Sequence, residues 1–156
     1  MFQALGYKID FLPENLAHFG TATKSLERLG VRCINHPEIF SVKEYLQRHI
    51  EEYDLIFVTR FNVAEPYLDI LRSSKTPFYF NNADLHFLRE YRRLAEGEQL
   101  DLVQDIRKRE LAVIDAADVA FCYTEAEQQI IESHILQKGK VKIMPWAKPR
   151  YLLFGF

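Results

Sequence analysis

Glycine is scarce in this chain: six residues in 156, at positions 6, 20, 30, 97, 139 and 155. No two of them fall into G-x-G-x-x-G, and no G-x-x-x-x-G-K-S/T is present. A backbone cradle for pyrophosphate needs glycine so that the chain can approach the phosphates closely. The sequence therefore excludes the usual nucleotide-binding loops. No serine or cysteine stands in a nucleophile-elbow context, which argues against an α/β-hydrolase. Cysteine is equally sparse. Cys33 and Cys122 are far apart, and each falls in an apolar, strand-like stretch, so they read as buried thiols in a reducing compartment. The five histidines are scattered without metal-ligand spacing, and Asp84-x-His86 alone is too little for a metal site. No metal is predicted. A charge excess is also missing. The formal net charge is −2 with both signs interspersed, so no nucleic-acid footprint is present. No apolar run approaches the roughly 20 residues of a membrane helix. The first residues, Met-Phe-Gln-Ala-Leu-Gly, lack the basic and apolar segments of a signal peptide. These absences together predict a cytoplasmic protein with no membrane span.

What is present is enough apolar material for a core: 48% hydrophobic and 27% charged residues, in a length that suits one domain. Strand-like and helix-like stretches alternate. The strands are predicted at 7–12, 31–35, 55–59, 77–80, 119–123 and 141–144. Helices fall between them: 18–29, 42–52, one regular from Pro66, 84–95, 99–116 and 125–135. Two capping boxes mark helix starts, Ser41-x-x-Glu44 and Thr124-x-x-Glu127. Gly97 is expected to break one helix from the next. Alternation with short links predicts an α/β fold, a doubly wound, mostly parallel Rossmann-like sheet with helices on both faces. The opening residues, Phe2 to Gly6, look like the end of a helix, which suggests that the sheet lacks its first strand. On that reading the stretches 7–12 and 55–59 should close up and pair directly. Residues 1–145 form the partial domain, and 146–156, which have no helix or strand period, read as a tail or linker stub.

The densest chemistry lies in Asn81-Asn82-Ala83-Asp84-Leu85-His86-Phe87-Leu88-Arg89-Glu90, straight after the strand 77–80. In open α/β sheets, ligands bind at the carboxyl ends of the strands. Asn81, Asn82, Asp84, His86 and Arg89 are therefore candidate ligand-binding residues, although Asn82 or Asp84 is equally what a helix N-cap wants. Arg60 and Asn62 follow the strand 55–59 and belong to the same predicted edge. There Arg60 would grip a phosphate or carboxylate, or form a surface ion pair. Glu110 lies on the apolar stripe of Ile106 and Val113. A charge in that position must be paired or hydrogen-bonded, so it is predicted as a buried structural carboxylate holding backbone amides of a neighbouring loop. Arg107-Lys108-Arg109 is the expected solvated face of that helix.

The 81–90 string resembles a motif in the amino-terminal domains of GT-B glycosyltransferases, enzymes with two Rossmann-like domains. Glu110, Ala117-Asp118-Val119, Thr124 and Glu127 are similar to the family's downstream pattern, and the likeness spans roughly residues 1–145. The chain departs from the family at Asn81, where aspartate is common, and at Pro145-Trp146, where Pro-Asn is usual. The resemblance implies the acceptor side of a hexosyltransferase-type enzyme. In such enzymes a missing carboxyl-terminal domain holds the nucleotide-sugar donor, while the amino-terminal domain faces a sugar or glycan acceptor. His86 would then hydrogen-bond a sugar or phosphate, Asp84 would orient it, and Arg60 and Arg89 would supply positive charge. The implied acceptor-binding set is Arg60, Asn62, Asn81, Asn82, Asp84, His86 and Arg89. No cofactor is expected for this half, since the donor belongs to the complete enzyme. No catalytic base follows from the residues. The other reading is a non-catalytic binding or interaction module with the same fold.

Overall fold

A computed structural model describes residues 2–94 and 100–144. The predicted helix break at Gly97 and the tail 146–156 lie outside them. The chain divides into two compact units, Met1–Glu52 and Tyr53–Phe156.

In the first unit a 3₁₀ turn over Phe2–Leu5 precedes strand β1, Ile9–Phe11. Helix α1 is Gly20–Arg28, and β2 is Val31–Cys33. The two strands pair in parallel with Ile9 opposite Val31, and α1 forms the crossover between them. Helix α2, Val42–His49, starts where the first capping box predicts: the Ser41 side chain accepts from the Glu44 N–H at 3.2 Å. An apolar cavity of about 170 Å³ sits at the carboxyl ends of this strand pair, lined by Phe11, Phe19, Leu26 and Cys33 among others.

The second unit is a four-stranded, all-parallel sheet in the order β3-β4-β5-β6. Its strands are β3, Ile56–Thr59; β4, Phe78–Asn81; β5, Val119–Cys122; and β6, Val141–Ile143. Each crossover carries helix: α3 (Phe61–Ala64) and α4 (Leu68–Ser73) after β3, α5 (His86–Arg93) and α6 (Leu100–Ala116) after β4, and α7 (Glu125–Glu132) after β5. This is the α/β, Rossmann-like doubly wound arrangement. The strands are apolar runs whose burial alternates along β5, where Ala120 and Cys122 are buried and Val119 and Phe121 half-buried. Phe80, Val113, Ile114, Ile131 and Val141 are completely buried. Asp118 anchors the amino end of the sheet: its carboxylate accepts the Phe78 N–H at 2.7 Å, just where β4 begins.

Three details differ from the sequence-based expectation. The stretches 7–12 and 55–59 do not pair. Among the described residues β1 has its ladder with β2 and β3 with β4, in separate sheets, so each strand finds its partner in the next strand along the chain. The helix expected from Pro66 is broken. A single turn at Phe61–Ala64 and a 3₁₀ turn at Glu65–Tyr67 precede α4, with Pro66 inside the 3₁₀ turn. Proline lacks the N–H that a continuous helix would use. Helix α5 begins at His86 rather than Asp84, and its N-cap position is Leu85, whose side chain cannot cap.

A polar edge at the carboxyl ends of β3 and β4

Because β3 and β4 are parallel neighbours, with Thr59 opposite Asn81, the residues that follow both strands emerge on one edge. The Arg60 N–H donates to the Asn81 carbonyl at 3.0 Å and ties the two exits together. Both exits use unusual backbone. Arg60 has φ 73° and ψ 136°, and Ala83 has φ 64°. At Ala83 the Asp84 N–H closes onto the Asn82 carbonyl at 2.8 Å. That is a three-residue γ-turn with positive φ, a rare and strained form. Such conformations cost of order 1–3 kcal/mol each at a non-glycine residue, and they cluster where a site is being shaped.

The two asparagines are deeply buried, Asn81 8% and Asn82 2% exposed. Asn82 extends the ladder beyond β4, its N–H donating to the Phe121 carbonyl at 3.1 Å. The Asn81 carboxamide nitrogen donates to the Tyr123 hydroxyl at 3.3 Å. Among the described residues the Oδ1 atoms of Asn81 and Asn82 are buried and have no hydrogen-bond partner. A buried acceptor in that state costs about 1–3 kcal/mol, so two of them in one turn call for an explanation.

Glu110 supplies what Leu85 cannot. It is 0% exposed, and its carboxylate reaches the start of α5: Oε1 accepts the His86 N–H at 3.1 Å and Oε2 the Phe87 N–H at 3.0 Å. These are two of the helix's orphan donors. Burial pushes the Glu110 carboxyl above its usual range, and the two amides and the His86 ring pull the other way. The His86 ring, its side chain 17% exposed, is surrounded by oxygens: Nδ1 lies 3.2 Å from the Asp84 carbonyl, 3.3 Å from Asp84 Oδ1 and 3.4 Å from Glu110 Oε1. Arg89 closes the far side of this cluster, donating to Asp84 Oδ2 at 2.7 Å and to Glu90 at 3.2 Å.

The predicted residues therefore fall into three groups. Asp84, His86, Arg89 and Glu110 form one hydrogen-bonded cluster. Asn81 and Asn82 are buried in the same turn. Arg60 and Asn62 lie on the β3 exit with exposed side chains, and no ion pair engages Arg60 among the described residues, so the surface salt bridge weighed for it is not formed. The cap weighed for Asp84 or Asn82 is not formed either, because the carboxylate of Glu110 already occupies the helix start. Phe61 was missed. Its buried ring meets the His86 ring edge-on at 5.0 Å and carries the Arg109 guanidinium 5.8 Å above it. Arg109 lies on the exposed face of its helix, as expected, and there forks onto both oxygens of Glu65 at 2.6 Å. Tyr123 was missed too, although applying the same edge rule to the exit of β5 would have found it. Ala83 carries no sequence signal for its backbone strain.

Fold and edge together define a Rossmann-like α/β domain with a strained, polar carboxyl edge. No family model, no curated protein and no solved structure matches the chain. No helix among the described residues is long and apolar enough to cross a membrane.

Proposed function

We propose that the Tyr53–Phe156 unit binds a sugar or glycan acceptor at the edge formed by Arg60, Asn62, Asn81, Asn82, Asp84, His86 and Arg89. In this reading the chain is the acceptor side of a hexosyltransferase-type GT-B glycosyltransferase that draws on a nucleotide-sugar. One observation carries it. The string Asn81–Glu90, through which the chain resembles that family, runs from the end of β4 into α5, and its partly exposed Asp84, His86 and Arg89 form one hydrogen-bonded cluster. Sugars are dense in hydroxyl groups, and Asp84, His86 and Arg89, which keep part of their surface in solvent, are hydrogen-bonding side chains within reach of them. Arg60, which has no ion pair among the described residues, adds a charged group on the adjacent exit. The sequence holds no glycine-rich phosphate cradle, so the donor is held elsewhere. Chemistry requires donor and acceptor in one place.

The test has two arms. Purified 156-residue chain, supplied with nucleotide-sugars and glycans, is expected to give no donor-dependent transfer; transfer would contradict an acceptor-only role. The same chain on a glycan array is expected to bind a defined acceptor, and Asn82→Ala and His86→Ala are expected to abolish that signal. Binding that survives both substitutions would move the site elsewhere. A blank array would favour the non-catalytic interaction module.

A further inference from the structure

We propose that Asp84 and Glu110 lock the His86 ring with its proton on Nδ1, so that Nε2 is offered as a hydrogen-bond acceptor and this corner takes a hydroxyl of a neutral ligand, not a phosphate. The lock stands on geometry alone; the choice of ligand rests on the functional reading above.

Three oxygens face Nδ1: the Asp84 carbonyl at 3.2 Å, Asp84 Oδ1 at 3.3 Å and Glu110 Oε1 at 3.4 Å. A lone pair on Nδ1 would confront lone pairs on all three, whereas an N–H there meets acceptors. The hydrogen bond made by one ring nitrogen sets the tautomer and thereby the role of the other. In the neutral ring Nε2 is then the acceptor, and no described residue bonds it. The ring cannot easily turn away, because Phe61 packs against it at 5.0 Å and its own backbone N–H is held by Glu110. Glu110 and Asp84 are thus positioning residues: they act on a ligand only through His86.

The same contacts disfavour phosphate. Helix N-termini grip phosphate through their free amides. The first two amides of α5 are already occupied by the protein's own carboxylate. Two carboxylates stand within 3.4 Å of the ring, and the nearby cation, Arg89, is engaged by Asp84 and Glu90. A phosphate arriving at Nε2 would meet this negative charge, with the first two amides of the helix already taken.

The direct measurement is ¹⁵N NMR of the imidazole rings in the full chain, at alkaline pH where histidine is neutral, with His86 assigned through His86→Gln. The expected signature is Nδ1–H with an unprotonated Nε2; the opposite tautomer overturns the lock. Glu110→Gln and Asp84→Asn are each expected to shift the population toward Nε2–H, and an unchanged tautomer in both would also overturn it. If Glu110→Gln does not fold, Asp84→Asn, on a half-exposed side chain, decides alone. In the ligand arm, methyl hexosides are expected to move the His86 Nε2 signal. Inorganic phosphate is expected to leave it and the Phe87 amide in place. A saturable phosphate shift at both overturns the ligand choice. A panel of methyl hexosides that moves nothing, with the tautomer as expected, overturns the functional reading and the ligand choice but not the lock.

Discussion

Glu110 Oε2 lies 3.0 Å from the amide nitrogen of Phe87, a residue 23 positions earlier in the chain. With its other oxygen on the His86 amide, Glu110 caps α5 from the middle of α6. Replacing it by alanine would orphan two amides at the start of a packed helix, each costing roughly 1–3 kcal/mol. Glu110→Ala is therefore expected to lower the unfolding free energy by about 2–6 kcal/mol, and Glu110→Gln, which keeps one acceptor, by less. Urea denaturation of the three proteins measures this; an unmoved midpoint for Glu110→Ala would show that the cap is not stabilising.

Burial raises the Glu110 carboxyl in the folded protein above its unfolded value. A raised carboxyl holds its proton longer folded than unfolded, so its contribution to stability is full below the unfolded value, about 4.3, and is lost as pH rises through the folded one. Compared at each pH, the stability of the wild type relative to Glu110→Gln is expected to fall as pH climbs from that value. A relative stability that rises over the same window would mean that the two amides and His86 outweigh burial.

Arg60 holds a backbone conformation that glycine adopts without strain. Removing strain of about 1–3 kcal/mol against a glycine entropy cost of about 0.5–1 kcal/mol predicts that Arg60→Gly stabilises the second unit by about 1 kcal/mol. The same variant should bind acceptor more weakly, since its guanidinium is gone. Thermal unfolding alongside the glycan array separates the two effects, and a destabilised Arg60→Gly would contradict the strain.

Thr124 and Glu127 form a reciprocal cap on α7. The Thr124 hydroxyl accepts from the Glu127 N–H at 3.2 Å, and Glu127 Oε2 accepts from the N–H groups of Thr124 at 3.1 Å and Tyr123 at 2.9 Å. Thr124→Ala is expected to cost about 0.5–2 kcal/mol. Glu127→Ala frees two amides, one of them at Tyr123 beside the Asn81 side chain, so it should disturb that edge as well. In a double-mutant cycle the two losses should fall short of additive, by about 0.5 kcal/mol or more; strict additivity would show that the two halves of the cap act independently.

Local chemistry, spanning one to four residues, is legible in the sequence. The caps at Ser41 and Thr124 and the alternation of apolar strands with helices depend on near neighbours, and so do the polar residues after the strands 55–59 and 77–80. The position of Glu110 on an apolar stripe already required a partner for its charge. The identity of that partner was decided by packing. Asp84 has the right chemistry and the right place to cap α5, yet Glu110, 26 residues on, holds the helix start, and Asp84 turns to His86 and Arg89 instead. The same holds for Phe61 beneath Arg109, for the break around Pro66, and for the pairing of β1 with β2 and β3 with β4 in separate sheets. Local preferences near 1 kcal/mol set which residues can cap, bend or pair. Contacts between residues distant in the chain are chosen by which arrangement buries the apolar surface and pairs the most buried polar groups together, and that is settled only when α6 lies against α5.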